Sequence, residues 1–214
     1  MKILMINTTT PCCMAALVTE ANGSKSMVTK DVYRHGESLL GFIDQLCSAQ
    51  KIAINEVELI SVVTGPGSFV GTRLGCAVAQ ALAFHLKVPI VAISTLHALA
   101  QSAYLKMPKK CIGVLQDARM GQVHYGIYTV TSEGAMVPSI NAGKLAITDA
   151  NLTQYTPDYW VGDGVPLCLQ SNQISINHVL DDVEIDANAL LILTKREVQQ
   201  KKLKYAEDIE PYYG

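Results

Sequence analysis

The amino-acid sequence predicts an α/β protein built from two similar halves, and three observations support this prediction. The chain has 214 residues, of which 49% are hydrophobic and 17% charged, so it can bury the core of one large domain or two small ones. Short apolar runs of strand length alternate with segments in which apolar residues recur at helical spacing. Each half begins with strand-like runs separated by turn residues and ends with helical segments.

The first half is predicted to contain an antiparallel three-stranded meander followed by alternating helices and strands. The turn Ala21-Asn22-Gly23 has hairpin chemistry. Ser94 is suited to cap a helix that continues to about Tyr104. In chain order we expect strands at 2–7, 12–19 and 26–32, a helix at 37–50, a strand at 57–64, a helix at 72–86, a strand at 89–93 and then this last helix.

The second half is predicted to begin after a charged, proline-bearing linker at residues 107–110, which divides the chain into lobes 1–106 and 107–214. The final helix could pack back on the N-terminal lobe. We expect strands at 111–117, 122–130 and 137–147, a loop-rich stretch at 151–170 with a strand end at 161–164, and a final helix at 187–202.

Composition argues against several classes of function. A net charge of −2 disfavours strong, direct binding to nucleic acid, which relies on an excess of Lys and Arg. The most apolar stretch, residues 75–93, is interrupted by polar residues and a proline, so no membrane span is predicted. The apolar run near the first residue is too short for a signal peptide. We therefore expect a cytoplasmic protein that does not contact the membrane.

The sequence also argues against a bound metal and against nucleophilic catalysis. The five histidines lack the spacing of a metal motif, and the six cysteines form no Cys-x-x-Cys pair. Free, buried thiols in a reducing compartment are therefore expected. Ser68 does not lie in a Gly-x-Ser-x-Gly elbow.

Two segments at strand ends contain the residue types of a phosphate or cation site. The first, Asn7-Thr8-Thr9-Thr10, offers hydroxyl donors in a tight turn. The residues favour the alternative, a turn whose hydroxyls bond to its own backbone, because no carboxylate is present to hold a metal. In the second segment, Asp117 could coordinate a hydrated cation and Arg119 could bind a phosphate or carboxylate. The alternative there is a surface ion pair that stabilises the turn.

A glycine-rich loop between a predicted strand and a predicted helix requires unusual backbone angles. Its spacing matches neither the Walker A motif nor G-x-G-x-x-G. One interpretation is an anion site at the helix N-terminus, assisted by Arg73, and the other, equally supported, is a sharp and rigid turn. The loop consists of Gly65, Pro66, Gly67, Ser68, Phe69, Val70, Gly71, Thr72 and Arg73.

The helix predicted at 72–86 is apolar on nearly every side. A lobe of about 100 residues can hardly bury such a helix completely. We therefore interpret one of its faces as an interface with another protein. The alternative is a central core helix in a two-lobed chain.

Three segments, at residues 2–10, 65–75 and 117–123, give the chain a resemblance to a known family. In sequence, order and spacing they resemble the TsaB (YeaZ) family of bacterial tRNA threonylcarbamoyladenosine biosynthesis proteins, as does Ser94-Thr95-Leu96. The pattern Gly-Pro-Gly-Ser-Phe-x-Gly-x-Arg is highly specific for this family. The resemblance is convincing to about Tyr128 and looser to about Lys202.

The resemblance implies a fold and a role. The implied fold is that of the actin, sugar-kinase and Hsp70 ATPase superfamily, with two lobes that each contain a mixed sheet and a βββαβα core. The implied role is that of a non-catalytic subunit of the complex that transfers threonylcarbamoyl to N6 of adenosine 37 in tRNAs reading ANN codons. The implied partners are the catalytic paralogue TsaD and the ATPase TsaE, with a homodimer when the chain is alone and tRNA contacted only indirectly. No cofactor is implied, except ATP or ADP at the partner interface.

The resemblance also implies site residues, none of them catalytic or metal-binding. The helices predicted at 37–50 and 72–86 are expected to meet their counterparts on the partner. The interface would comprise Leu39, Leu40, Ile43, Leu46, Leu74, Ala77, Val78 and Ala81. A degenerate nucleotide site would comprise Asn7, Thr8, Asp117, Arg119, Gly162 and Gly164.

The chain departs from the family pattern in ways that disfavour chemistry of its own. Asn7 stands where the family commonly has an Asp that helps to organise nucleotide-bound metal. Leu39 stands four residues after His35, where the TsaD metal site has its second histidine. The family's Pro-x-Tyr-Leu-Arg tail is shortened to Pro211–Gly214. The alternative function is an independent enzyme on the same fold, either a glycoprotease-like peptidase or a small-molecule kinase.

Overall fold

The structure, a computed structural model, describes residues 1–20, 22–30, 35–149, 152–174 and 178–213. The features predicted at Ala21, Val32, Asn151 and Gly214 lie outside the described residues. The strands are β1 (Ile3–Asn7), β2 (Cys13–Thr19), β3 (Gly23–Thr29), β4 (Leu59–Val63), β5 (Ile90–Ile93), β6 (Cys111–Arg119), β7 (Gln122–Val130), β8 (Met136–Ala146) and β9 (Tyr159–Val161). The helices are α1 (His35–Gln50), α2 (Phe69–Leu86), α3 (Thr95–Lys106), α4 (Val165–Gln170) and α5 (Ala187–Gln199).

The chain divides into two compact units. Unit 1 comprises Met1–Thr95 together with Leu190–Tyr213, and unit 2 comprises Leu96–Ala189. The boundary therefore lies after Thr95, the first residue of α3, and not at the predicted linker after that helix. The reason is that the Tyr159 hydroxyl of β9 lies within hydrogen-bond distance of the carbonyl oxygens of Ala103 and Met107 and donates its one proton between them, which fixes the end of α3 within unit 2. Most of α5 belongs to unit 1.

The sheet of unit 1 has the strand order β3-β2-β1-β4-β5. Strands β1, β2 and β3 form the predicted antiparallel meander, and β4 and β5 continue the sheet in parallel with β1. Strands β1 and β4 are buried along their whole length, as central strands covered on both faces are.

Helices α1 and α2 cover one face of this sheet, and α5 lies on the other. Leu4 and Ile6 of β1 pack in one cluster with Leu39 of α1 and Cys76 of α2. Side chains alternate along a strand, so Ser61 of β4 points to the opposite face. There its hydroxyl oxygen lies 2.7 Å from that of Thr194 in α5.

The sheet of unit 2 has the strand order β8-β7-β6-β9, with β6, β7 and β8 antiparallel and β9 parallel to β6. This order is the same as that of β3-β2-β1-β4 in unit 1. The weak repeat of architecture between the two halves is therefore confirmed at the level of topology. The core of unit 2 includes Leu115, Val123, Ile127 and Trp160.

Several elements differ from their predicted bounds, and β3 begins at Gly23 and ends at Thr29 instead of covering 26–32. For three further elements the difference has a local reason. Helix α2 begins at Phe69 instead of residue 72, because the Ser68 hydroxyl accepts the N–H of Gly71 and caps the helix. Helix α5 ends at Gln199, shortly before Lys201 adopts a left-handed conformation with φ of 58°. The short helix α4 was predicted as loop, since its six residues are too few to show a helical period.

Candidate functional site

The turn that follows β1 uses its polar groups internally. The Asn7 Oδ1 atom accepts the N–H of Thr9 at 3.1 Å and the Thr9 hydroxyl at 2.9 Å, and Asn7 Nδ2 donates to the Thr10 hydroxyl at 3.1 Å. The Thr8 hydroxyl donates to the carbonyl oxygen of Gly71 at 2.6 Å. This geometry favours the interpretation of a turn whose hydroxyls bond to protein groups, with Thr8 bonded to the glycine loop and the other side chains bonded within the turn.

The glycine loop packs directly on this turn, backbone against backbone. The Ser68 N–H donates to the Thr9 carbonyl oxygen at 2.8 Å. A Cβ atom at Gly67 would overlap the carbonyl oxygen of Thr9, and one at Gly71 would overlap that of Thr8. The glycines are therefore required for close approach, and the loop has the properties of a sharp, rigid strand-to-helix turn.

The C-terminal tail, residues 204–213, is an element of this site that the sequence did not predict. Lys204 pairs with Ile90 of β5, and Gln80 Nε2 of α2 donates to the carbonyl oxygens of Ala206 and Ile209 at 3.0 and 2.9 Å. The Tyr212 N–H donates to the carbonyl oxygen of Thr64, next to the glycine loop, at 2.7 Å. The tail therefore ties α2, β5 and the glycine loop together.

Arg73, Phe69 and Tyr213 form a cluster at the first turns of α2, hereafter the Arg73 cluster. The Arg73 Cζ atom lies 3.7 Å from the centroid of the Phe69 ring, and its Nε donates to the Tyr213 hydroxyl at 2.7 Å. The Phe69 and Tyr213 ring centroids are 5.7 Å apart. All three side chains are exposed, although two of them are aromatic.

Helix α2 presents an apolar stripe to solvent, hereafter the α2 face. Its buried side, which includes Cys76, Ala79 and Ala83, belongs to the core of unit 1. Phe84 is 77% exposed and Val70 74% exposed, which is unusual for side chains of this size. The α2 face consists of exposed Val70, Ala77, Ala81 and Phe84, flanked by half-buried Leu74 and Val78.

By length and mean hydropathy alone, 18 residues and 1.2, α2 could cross a membrane. Its core-facing side packs against β1 and β4, however, which is the position of a helix in a globular α/β unit. The high hydropathy of α2 therefore has two sources, a buried side and an exposed apolar face.

Part of the predicted interface on α1 requires correction. Three of its residues lie on the core-facing side of α1, are buried in unit 1 and are not available to a partner: Leu39, Ile43 and Leu46. Leu40 is 58% exposed, and the carboxylates of Asp44 and Glu37 are exposed on the same helix. The outward side of α1 is therefore mostly polar and acidic, so the exposed apolar surface is concentrated on α2.

The remaining candidates for a nucleotide site lie in unit 2, whereas Asn7 and Thr8 lie in unit 1. Asp117 Oδ1 accepts the N–H of Arg119 at 2.7 Å, and Asp117 Oδ2 lies 3.1 Å from Arg119 Nη1. The Arg119 side chain is 85% exposed, so this ion pair contributes under about 1 kcal/mol. These contacts are those expected of a pair that stabilises the β6–β7 turn.

Asp163, between Gly162 and Gly164, is a residue of this cluster that the sequence analysis did not select. Its Oδ1 accepts the N–H of Asp117 at 2.9 Å. Desolvation by the surrounding turn raises the pKa of the Asp163 carboxyl, and the hydrogen bond from Asp117 acts in the opposite direction. A Cβ atom at Gly162 would overlap the carbonyl oxygen of Leu115, and Gly164 also lies close to the β6 backbone. The two glycines thus let this strand end pack against β6.

The described residues contain no group of three His, Cys, Asp or Glu side chains that could hold a metal ion. Burial raises the pKa of the Cys13, Cys76 and Cys168 thiols to about 11. These thiols are protonated near neutral pH and therefore lack the thiolate that a cysteine nucleophile needs.

Comparisons with known proteins agree with the motif resemblance. Residues 30–144 match the family model described as "TsaD: tRNA N6-adenosine threonylcarbamoyltransferase". The TsaB protein of Haemophilus influenzae, a tRNA threonylcarbamoyladenosine biosynthesis protein, is 28% identical over all of this chain and 93% of its own length. The TsaB protein of Escherichia coli is 29% identical over 63% of this chain and 58% of its own.

A solved structure shares the whole fold. The structure of YeaZ from Pseudomonas aeruginosa is 27% identical and covers 100% of this chain and 99% of its own, with a TM-score of 0.88. The predicted fold class and the resemblance to TsaB and YeaZ are confirmed by these matches.

Proposed function

Because the chain belongs to the TsaD family, described as tRNA N6-adenosine threonylcarbamoyltransferase, we propose that it serves tRNA threonylcarbamoyladenosine biosynthesis as a non-catalytic partner subunit. The relatives that match it are named for this pathway as TsaB proteins. The partner is a TsaD-family paralogue, which docks on the α2 face. The observation that carries the proposal is that face, a stripe of apolar side chains exposed along one helix.

The exposure of the α2 face is large enough to matter energetically. Burying a Val or Phe side chain stabilises a complex by about 1.5–3 kcal/mol before ordering costs are subtracted. Val70 and Phe84 are both more than 70% exposed and lie on one side of a single helix. Helix faces of this kind are usually covered by the apolar face of another helix. A paralogue with the same fold offers an equivalent helix, which supports a helix-to-helix contact.

The chemistry of the chain favours the role of a non-catalytic subunit over that of an enzyme. Asn7 offers a neutral amide, already used by Thr9 and Thr10, where a carboxylate would be needed to organise a nucleotide-bound metal. The glycine loop packs so closely on the β1 turn that a Cβ atom at Gly67 or Gly71 would overlap it. ATP or ADP would then bind only where the partner completes a site.

The net charge of −2 supports indirect contact with tRNA, through the complex. The proposal further includes the ATPase TsaE as a third component and a cytoplasmic location, where tRNA is modified.

The experiment that tests the proposal is a binding measurement with the TsaD-family protein of the same cell. The variant Ala81→Glu places a charge on the α2 face, where a docked helix would bury it without a counter-ion at a cost of several kcal/mol. We expect this variant to remain folded, to lose partner binding and to fail to support tRNA modification.

The matched control is Val28→Glu, which introduces the same charge at a 51% exposed position on β3 and should leave binding unchanged. Full binding by Ala81→Glu would contradict the proposal. Peptidase or ATPase activity of the isolated wild-type chain would favour the alternative of an independent enzyme.

A further inference from the structure

The Arg73 cluster holds a guanidinium group in a fixed position at the surface. Arg73 lies over the Phe69 ring at 3.7 Å, and its Nε–H donates to the Tyr213 hydroxyl at 2.7 Å. These two contacts use one face of the guanidinium and one of its five N–H donors. Among the residues that the structure describes, the terminal nitrogens Nη1 and Nη2 have no hydrogen-bond partner. The contacts with Phe69 and Tyr213 therefore orient the guanidinium in advance, and its two terminal nitrogens are unpaired among the described residues.

The position of the cluster connects it to the α2 face. Arg73 lies three residues after Val70 and four before Ala77, so all three project from the same side of the helix. A helix that docks on the α2 face would therefore cover or border the guanidinium. An arginine covered without an acceptor would lose its hydration at a substantial cost, so a partner that fits must supply one.

We propose that the Arg73 cluster binds a carboxylate of the partner, an Asp or Glu on the helix that docks on the α2 face. This inference rests on the proposed function and specifies the chemistry of the partner at one end of the contact. A planar guanidinium pairs with a carboxylate through two parallel hydrogen bonds, which fixes the register of the two helices as well as adding affinity.

The surroundings of Arg73 favour a protein carboxylate over a phosphate of tRNA. A surface that binds an RNA backbone needs several cations, whereas the exposed groups of α1 on this side of the sheet include the carboxylates of Glu37 and Asp44. Apolar Phe69 and Val70 adjoin the cluster and suit the apolar core of a protein interface, in which Arg is a frequent hot spot.

The test measures the dissociation constant for the TsaD-family partner at low and at high salt. We expect Arg73→Ala to weaken binding about 10- to 100-fold at low salt, the loss typical of hydrogen bonds between charged groups. Its binding should also depend less on salt, because the screened ion pair is gone. Arg73→Lys keeps the charge but not the fork, so we expect a smaller loss, about 3- to 10-fold.

Two control variants separate pairing with the partner from a structural role. Lys195→Ala removes an exposed cation from α5, on the opposite face of the sheet, and should leave affinity and salt dependence unchanged. Tyr213→Phe removes only the acceptor of Arg73 Nε. It should weaken binding by less than about fivefold and keep the salt dependence. Circular dichroism confirms that each variant is folded.

The outcomes distinguish this inference from the proposed function. The carboxylate inference is wrong if Arg73→Ala binds the partner as tightly as wild type and with the same salt dependence. If Ala81→Glu nevertheless fails to bind, the proposal that the partner docks on the α2 face is still supported. If Arg73→Ala instead weakens binding of the isolated chain to tRNA and leaves partner affinity unchanged, the cluster is an RNA contact and the inference is overturned. If the wild-type chain does not bind the partner, both fail.

Discussion

At the scale of residues, the carbonyl oxygens of Thr8 and Thr9 determine which amino acids the glycine loop accepts. Gly71 lies in the first turn of α2, against the Thr8 carbonyl, so even a methyl group has no room. Gly41 lies within α1 with nothing within 4 Å of the position its Cβ would take. Both glycines are helical, and helix propensity alone would favour Ala at both positions by about 1 kcal/mol.

We predict that Gly71→Ala and Gly41→Ala have opposite effects on the free energy of unfolding. Gly71→Ala should destabilise unit 1 by about 2–3 kcal/mol, because the β1 turn and the loop must move apart. Gly41→Ala should be neutral or stabilise the protein by up to about 1 kcal/mol. Urea titration followed by circular dichroism measures both. Equal effects of the two substitutions would contradict the close packing of the loop on the turn.

The sequence shows the β1 turn and the glycine loop as motifs, but it does not decide between a ligand site and a self-contained turn. Asn7-Thr8-Thr9-Thr10 and the glycine loop are visible as patterns, yet whether their donors face a ligand or each other depends on a contact between segments about 60 residues apart, such as that of Thr8 with Gly71. Asp163 was not selected for a similar reason, since its partner Asp117 is 46 residues away in the chain. Local patterns carry no information on such pairings.

At the scale of elements, periodicity predicted helices α1, α2 and α5 of unit 1 but not which face of each helix meets the sheet. The apolar residues of α1 recur at helical spacing, and Leu39 and Leu40 are equally apolar neighbours. Leu39 is 0% exposed in the core, whereas Leu40 is 58% exposed. The C-terminal tail could not be predicted as an element, because it is held through backbone carbonyls that Gln80 reaches across 126 and 129 residues.

We predict that Leu39→Glu and Leu40→Glu separate the core side of α1 from its outer side. Leu39→Glu buries a carboxylate among apolar side chains and should destabilise unit 1 by several kcal/mol, enough to unfold it or lower its Tm by many degrees. Leu40→Glu should change the free energy of unfolding by less than about 0.5 kcal/mol. Thermal unfolding followed by circular dichroism gives the comparison. A stable, folded Leu39→Glu variant would show that α1 is rotated relative to the sheet.

At the scale of the whole molecule, the two units share one topology but present different surfaces. Each sheet contains a meander of three strands and a parallel fourth strand, and the sheet of unit 1 adds β5. Helix α2 of unit 1 exposes three large apolar side chains, those of Phe69, Val70 and Phe84, because the sheet covers only one side of this 18-residue helix. The sequence predicted this surplus, since the helix expected at 72–86 is apolar on nearly every side and a lobe of about 100 residues can hardly bury it completely.

The α2 face should allow only one occupant at a time, which yields the last prediction. A two-fold dimer uses the same surface patch on both copies, so we expect copies of the chain to pair through this exposed apolar stripe when no partner is present. The TsaD-family partner would use the same stripe. Adding it to the isolated homodimer should therefore produce a one-to-one complex at the expense of the homodimer.

Sedimentation velocity at fixed chain concentration and increasing partner concentration measures this exchange. We expect the homodimer boundary to disappear as the heterodimer forms, Ala81→Glu to remain monomeric throughout, and Val28→Glu to behave as wild type. A complex that contains two copies of the chain bound to the partner would show that the homodimer and the heterodimer use separate surfaces. In that case the apolar residues of α2 serve only one of them, and the other contact must be sought on another surface, such as the outer side of α1.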